Sequence, residues 1–222
     1  EAMPWYKGTS LLDFLETIEI SQNSYKEPRF QVQYVIRPQT EALHDYRGYA
    51  GEIISGTYRK GDAIVVLPEG ISTKISKIER NGEEVAEAKA GEPVVMHIED
   101  DIDISRGDYF ASEEAEPTQS QEVEAIVCWM DKRALKEGNK YLLQQRSRLV
   151  KVVVKEIAYK IDVNTLEQEE EVESVKLNEI AKIRIKAAAP LVYDAFTDNP
   201  PMGSAILIDE TSNATVGAVM IA

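Results

Sequence analysis

The hydrophobic pattern near the start of the chain differs from the pattern that follows. Apolar residues first recur at the spacing of one helix face, and Ser10 with Asp13 forms a capping-box pattern. The sequence therefore predicts a short amphipathic helix over 10–19, followed by a polar loop. The apolar positions of this helix are Leu11, Leu12, Leu15 and Ile18.

The rest of the first half is patterned as β-strands and tight turns. Short apolar or alternating runs are broken by Gly, Pro, Asn and Asp, and Asn81-Gly82 is a strong tight-turn signal. Pro68-Glu69-Gly70 separates two runs that predict a hairpin. The predicted strands lie in 30–36, 63–67, 73–78 and 93–98.

The second half repeats this class of pattern without repeating the sequence. Between the halves, Ala111–Gln121 has almost no apolar side chains to bury, which predicts an interdomain linker. Many short strands favour small closed barrels, because closure leaves no exposed strand edge. We therefore predict an all-β fold with domains over 28–113 and 118–222. The strands of the second domain are predicted in 123–130, 149–161, 175–187, 205–208 and 215–221.

Length and composition agree with this division. The 222 residues suffice for two domains of ordinary size, and no apolar run is long enough to cross a bilayer as a helix. One cysteine, Cys128, cannot form an internal disulfide, so we predict a buried thiol and a cytoplasmic location. The net charge of −14 argues against a nucleic-acid partner.

Motifs for nucleotide chemistry and metal binding are not visible in the sequence. The glycines do not follow the phosphate-loop spacing, and His44 and His97 belong to no zinc pattern. Asp101, Asp103 and Ser105 begin like a calcium loop, but Arg106 stands where that loop needs glycine. We therefore predict a half-buried strand end there, and no catalytic, cofactor-binding or metal-binding residue in this chain.

Two clusters of like charge remain. The acidic residues between 167 and 173 predict a solvated loop. Arg146, Arg148, Lys151 and Lys155 change parity along one strand, so they divide between its two faces, and a phosphate-binding patch stays an alternative. Arg106-Gly107-Asp108 is interpreted as a turn that closes the first barrel.

Several strings resemble one superfamily of GTPases. The segment 3–16 resembles the exit from the nucleotide-binding domain in the elongation factor Tu and 1-alpha superfamily, and 47–62 resembles the signature of its second domain. The resemblance implies two closed barrels of the translation-factor type, like domains II and III of elongation factor Tu. It also implies that 1–27 is the helix and linker that follow a missing G domain.

Three further segments resemble the large-subunit family of bacterial sulfate adenylyltransferase. They are 161–167, 177–180 and 206–218, of which the last is the most specific. That family usually has Asn-Arg-x-Thr-Gly-x-Phe before its last strands. This chain instead has Asn199-Pro200-Pro201-Met202-Gly203-Ser204-Ala205, without the arginine.

The resemblance implies a part in sulfate assimilation. A small catalytic subunit makes adenylyl sulfate and pyrophosphate from ATP and sulfate, and the GTPase large subunit couples GTP hydrolysis to that reaction. The implied partners are the small subunit, in a heterodimer, and the chain's own G domain, which would hold GTP and Mg²⁺. The chain alone is expected to be inactive, with no nucleic-acid or membrane partner.

Two other interpretations remain open. The chain could be a translation-factor fragment whose barrels bind aminoacyl-tRNA, for which clustered Lys and Arg are expected. It could also be an autonomous protein-interaction module that has no G domain.

Overall fold

The N-terminal part of the chain contains one short helix. The computed structural model describes residues 5–18, 25–38, 46–170 and 172–222. Helix α1 spans Leu11–Thr17, and the Ser10 hydroxyl accepts a hydrogen bond from the Asp13 amide while donating one to the Asp13 carboxylate. The predicted capping box and helix are confirmed, and no residue of α1 is buried. Residue 19, the predicted last residue, lies outside the described ranges.

The first barrel closes from six antiparallel strands. Strand β1 pairs with β10 on one side and with β3 on the other, so the sheet β1-β10-β5-β6-β9-β3 returns to β1. Strands β2 and β7 extend it at β3 and β6, and β4 pairs with β8. The strands are β1 Arg29–Gln31, β2 Tyr34–Ile36, β3 Gly48–Ser55, β4 Thr57–Arg59, β5 Ala63–Leu67, β6 Ile71–Arg80, β7 Glu83–Val85, β8 Glu87–Lys89, β9 Pro93–Ile98 and β10 Tyr109–Ser112.

The second barrel also closes from six strands. Its sheet runs β12-β16-β17-β11-β15-β13, and β13 pairs again with β12, while β14 adds to β13. A short helix, α2, precedes β16. The elements are β11 Thr118–Trp129, β12 Lys140–Gln145, β13 Arg148–Ile161, β14 Gln168–Glu169, β15 Ile180–Tyr193, α2 Pro200–Gly203, β16 Ser204–Ile208 and β17 Thr215–Ile221.

Each barrel has its own apolar core. Phe30, Tyr49 and Phe110 pack ring against ring in the first, and Trp129 packs edge-on to Tyr141 in the second. The hairpin β5–β6 forms as predicted, and both residues of the Asn81-Gly82 turn have positive φ angles of 54° and 84°.

The structure corrects the predicted strands and the predicted linker in several places. Residues 111–112 belong to β10 and 118–121 to β11, so the predicted linker shortens to 113–117. Strands β3 and β12 were not predicted, nor were the short strands β4, β7, β8, β10 and β14, and the run predicted over 30–36 divides into β1 and β2. Val175 forms only an isolated bridge with Leu135, and β15 begins at Ile180 and extends to Tyr193.

Candidate functional site at the contact between the barrels

Strand β1 is buried on both faces, although its sequence alternates polar with apolar residues. Phe30 points into the core of the first barrel, while Arg29 and Gln31 point outward and are each only 1% exposed. An outward-facing strand residue is normally solvated. Here the second barrel covers that face, so β1 places a cation and an amide inside the contact between the barrels.

Arg29 forms a buried ion pair with Asp194 across this contact. Its Nε lies 3.0 Å from Asp194 Oδ2 and its Nη2 lies 3.0 Å from Oδ1, which is the bidentate arrangement that a guanidinium favours. The side chain of Asp194 is only 7% exposed. Asp194 directly follows β15, so the pair joins the first strand of one barrel to the end of a long strand of the other.

The polar atoms of the ion pair itself have further hydrogen-bond partners. The Tyr25 hydroxyl accepts from Arg29 Nη2 at 3.2 Å and donates to Asp194 Oδ1 at 3.1 Å. Asn199 Nδ2 donates to Asp194 Oδ2 at 2.9 Å, and Arg29 Nη1 donates to the Pro28 carbonyl at 2.9 Å. Burial raises the pKa of Tyr25, opposed by the nearby Arg29 cation, so the tyrosine stays a neutral donor. A buried charge pair needs such additional partners to offset the loss of hydration.

An apolar cluster surrounds the ion pair and draws residues from both barrels. Val192 and Met202 of the second barrel, each fully buried, contact apolar residues on the outward faces of β3, β5 and β10. This outer face of the first barrel is therefore a second hydrophobic surface, in addition to its core. The first-barrel members of the cluster are Ile54, Val65, Leu67, Tyr109 and Ala111.

A second polar contact joins the barrels at the other end of β1. The Ser147 amide donates to Gln31 Oε1 at 3.0 Å, and Gln31 Nε2 donates to the Gly107 carbonyl at 3.2 Å. Arg148 Nη1 lies 3.7 Å from Asp108 Oδ1. Gly107 has a φ of 98°, and a Cβ there would lie 3.4 Å from the Arg148 Cβ. The turn 106–108 thus closes the first barrel, as interpreted, and also contacts the second.

The segment that departs from the family pattern lies at this contact. Asn199 is fully buried beside Asp194, Met202 belongs to the apolar cluster, and α2 begins at Pro200. A Cβ at Gly203 would lie 2.4 Å from the backbone N and Cα of Phe196, so this glycine permits a close backbone approach. In this chain the segment therefore packs a buried amide and apolar atoms between the barrels.

One of the two histidines, His97, lies within the described residues. His44 lies outside the described residues. His97 lies on β9 with Nε2 3.6 Å from Glu79 Oε1 and its ring edge-on to Tyr46 at 4.9 Å. Within the ranges that the structure describes, no three His, Cys, Asp or Glu side chains are grouped so as to hold a metal ion.

The calcium-like segment is not the strand end that the pattern predicted. Residues 101–105 have no regular secondary structure, although Ile102 and Ile104 are buried as their alternation indicated. Asp101 pairs with Arg47, and the Ser105 amide donates to the Asp108 carboxylate. These contacts close the chain onto the first barrel.

The basic group does not assemble into one patch. Arg146 lies in a turn with a φ of 51°, and Arg148 faces the other barrel. Lys151 and Lys155 lie on the opposite face of β13, where Lys151 is 3.4 Å from Glu210. The predicted division between two faces is thus observed.

Two other sequence features are accounted for by the second barrel. The described part of the acidic run is exposed, although Glu169 joins the short β14 and contacts Lys160 at 3.1 Å. Cys128 was predicted to be buried, but it lies half-exposed on the outer face of β11 because Val127 and Trp129 point inward.

In the described part of the chain, no helix has the length and apolar character needed to cross a bilayer.

Comparison with known proteins supports the relationship that the sequence indicated. A family model described as GTP-eEF1A C-terminal domain-like matches residues 122–222. The bifunctional enzyme CysN/CysC of Mycobacterium tuberculosis strain H37Rv is 42% identical over 220 residues, which are 98% of this chain and 36% of that protein. Sulfate adenylyltransferase subunit 1 of Sodalis glossinidius is 39% identical over 222 residues, all of this chain and 46% of that protein.

Solved structures support the fold independently of sequence. Sup35 complexed with GMPPNP has a TM-score of 0.79 at 17% identity, covering 98% of this chain and 53% of that one. Elongation factor SelB from Methanococcus maripaludis has a TM-score of 0.70 at 23% identity, covering 95% of this chain and 45% of that one. The chain spans less than half the length of its curated relatives. Over its whole length it is similar to one part of the sulfate adenylyltransferase large subunits, so both this resemblance and the translation-factor type of its two barrels are confirmed.

Proposed function

We propose that this chain supplies the two non-catalytic barrels of the GTPase large subunit of a sulfate adenylyltransferase. The complete enzyme converts ATP and sulfate to adenylyl sulfate and pyrophosphate, and GTP hydrolysis in a separate G domain, with Mg²⁺, is coupled to that reaction. The barrels transmit the nucleotide state of the G domain and contact the small catalytic subunit. This assembly acts in the cytoplasm.

The contact between the barrels is the observation that most supports this proposal. A segment that transmits a conformational state must move as a unit, because a loose hinge would dissipate the displacement. The Arg29–Asp194 ion pair, the apolar cluster around Met202 and the Gln31–Ser147 contact tie the barrels at three places. The described side chains within this contact serve packing and hydrogen bonding, and none is arranged as a nucleophile with its base.

The charge distribution favours this function over tRNA binding. Among the basic side chains of the second barrel, Arg133, Lys160, Lys182 and Arg184 each contact carboxylates at 3.2 Å or less. A neutralised cation releases few counterions from a phosphate backbone. Pairing of these four cations with carboxylates thus supports the proposal over the translation-factor alternative, for which unpaired, clustered Lys and Arg are expected.

The chain is expected not to bind a fluorescent GTP analogue at micromolar concentrations. The reason is that its 222 residues contain no glycine-rich loop of the spacing that cradles nucleotide phosphates. Fluorescence anisotropy checks this, with the full-length large subunit as the positive control. Saturable micromolar binding to the chain would contradict the assignment of nucleotide chemistry to another domain.

In the full-length large subunit, Arg29→Lys is expected to reduce GTP stimulation of adenylyl sulfate synthesis by about tenfold. Lysine keeps the positive charge but cannot reproduce the bidentate contact with Asp194, so the barrels lose their fixed orientation. Synthesis by the small subunit without GTP, and GTP binding, are expected to stay unchanged.

Arg184→Lys is the matched control for this experiment. Arg184 contacts Glu124 and Glu156 on the exposed surface of the second barrel, where one point charge can substitute for another. Both variants should still be retained by the immobilised small subunit. Full GTP stimulation in Arg29→Lys would show that coupling does not pass through the contact between the barrels.

A further inference from the structure

The first barrel carries a shallow groove on its outer surface. The groove has a volume of about 390 Å³ and crosses strands β2, β3, β9 and β6. Strand pairing sets Ala50 opposite Val95, and Glu52 opposite Pro93, on the face that points out of the barrel. The short side chains of Ala50, Val95 and Pro93 form the floor of the groove. We call this feature the Tyr34 groove, after the aromatic residue at its side.

Taller side chains stand on both sides of this floor. Tyr34 pairs with Ala50 across β2 and β3, and its side chain is 66% exposed. On the other side, Glu79 pairs with Val95 across β6 and β9. Across β2, β3, β9 and β6, the outward side chains therefore change from an exposed aromatic ring to a methyl group, an isopropyl group and a carboxylate. An extended aliphatic stem fits along such a row.

The two carboxylates of the groove differ in their partners. Glu79 is already paired, since Lys77 contacts it and the Tyr46 hydroxyl donates to it at 2.9 Å. Glu52 is exposed, and within the described residues its side chain has no ion pair or hydrogen bond. Glu52 is diagonal to Tyr34 across the strand pair, a spacing of roughly 7–8 Å that a side chain lying between them can bridge. The groove thus has one carboxylate available to a ligand.

This combination of groups selects one kind of side chain. A guanidinium can stack on the face of Tyr34 and form a bidentate contact with Glu52, while its methylene stem covers Ala50 and Val95. An anion is repelled by both carboxylates, and a purely apolar side chain leaves Glu52 without a partner. The net charge of −14 attracts a basic segment at long range.

We propose that the Tyr34 groove binds an arginine side chain presented by a basic segment of a partner protein. The proposal stands independently of the function proposed above, because it rests only on the first barrel. An arginine enters with its stem along the floor and its guanidinium between the Tyr34 ring and the Glu52 carboxylate.

The test is a titration of the ¹⁵N-labelled chain with the blocked peptide acetyl-Gly-Arg-Gly-amide, followed by NMR. Amide signals of residues 34, 50, 52 and 95 are expected to shift in a saturable way, with a dissociation constant on the order of millimolar. The affinity should fall as sodium chloride is added, because the exposed ion pair is screened. The corresponding leucine and glutamate peptides should shift these signals much less.

Variants assign the binding to individual groups. Glu52→Gln and Tyr34→Ala are each expected to weaken arginine-peptide binding about threefold to fivefold, the effect of losing one exposed contact. Glu69→Gln, at an exposed carboxylate in the β5–β6 turn, should leave binding unchanged. Circular dichroism checks that each variant is folded.

Any one of the following outcomes would overturn the proposal. The first is the absence of saturable shifts at these four residues. The second is equal binding of the leucine peptide, or an affinity that does not change in Glu52→Gln. The third is occupation of the groove by a short single-stranded RNA at lower concentration than the arginine peptide, which would assign the site to nucleic acid.

Discussion

Replacing Arg29 with methionine is expected to lower the free energy of unfolding by about 3–5 kcal/mol, the usual effect of breaking a buried ion pair. Methionine fills much of the same volume, so the loss arises from the Asp194 carboxylate, which stays buried without a cation. Tyr25 and Asn199 still donate to it, but neutral donors compensate a buried charge only in part. Urea denaturation followed by tryptophan fluorescence and circular dichroism measures the change.

The double variant Arg29→Met with Asp194→Asn distinguishes an unpaired charge from lost packing. The asparagine removes the charge, keeps one carbonyl oxygen to accept from Asn199 and can donate its amide nitrogen to the Tyr25 hydroxyl, so stability should return by at least half of the loss. Arg184→Met, at a half-exposed arginine of the second barrel, should change stability by less than about 1 kcal/mol. If Arg29→Met is as stable as the unmodified chain, the ion pair does not hold the barrels together.

The fold was largely predictable because its strands and turns follow local rules. The run Ile64–Leu67, the Asn81-Gly82 turn and the alternation in Thr215–Ile221 each correspond to an element in the structure. Closure into barrels was inferred from many short strands. Which strands pair to close each barrel was set by contacts between residues far apart in sequence, which no local pattern encodes.

Strand β12 shows where local reasoning fails. Lys140–Gln145 places two leucines side by side and ends in two glutamines, so it lacks a period-two pattern. In the structure, Gln145 is fully buried and its Nε2 donates to the carbonyls of Val192 and Met202. Two acceptors from other elements satisfy its amide nitrogen, whereas its Oε1 is buried without a hydrogen-bond partner in the described part of the chain. The formation of strand β12 therefore depends on contacts with other elements and not on a local sequence pattern.

The contact between the barrels was missed for a related reason. The alternation of Arg29, Phe30 and Gln31 is typical of a strand with one solvated face, and a buried arginine gives no different signal. One signal was available, however. Four consecutive apolar residues in β5 indicate a strand covered on both faces, since one core can bury only alternate residues. That run predicts a second apolar surface on the first barrel, which the second barrel covers.

Met202→Ala is expected to lower the free energy of unfolding by about 2–5 kcal/mol, as for other large-to-small substitutions at buried sites. Met202 is fully buried and contacts the first barrel from the short helix α2, so truncation leaves a cavity between the barrels. Gly203 packs closely on the backbone of Phe196, which limits how far α2 can move to fill that cavity. Differential scanning calorimetry measures the loss and shows whether one transition divides into two.

Two control substitutions test whether the loss of stability depends on the burial of Met202 or only on the removal of a methionine side chain. Met202→Leu, which nearly conserves volume, should cost less than about 1.5 kcal/mol. Met130→Ala, at a methionine that is 44% exposed, should change stability by no more than about 0.5 kcal/mol. Equal effects of Met202→Ala and Met130→Ala would mean that the apolar cluster contributes little. A single unfolding transition at a lower temperature in Met202→Ala would mean that the remaining polar contacts are enough for the two barrels to unfold together. Two separate transitions would mean that this cooperativity depends on the apolar cluster.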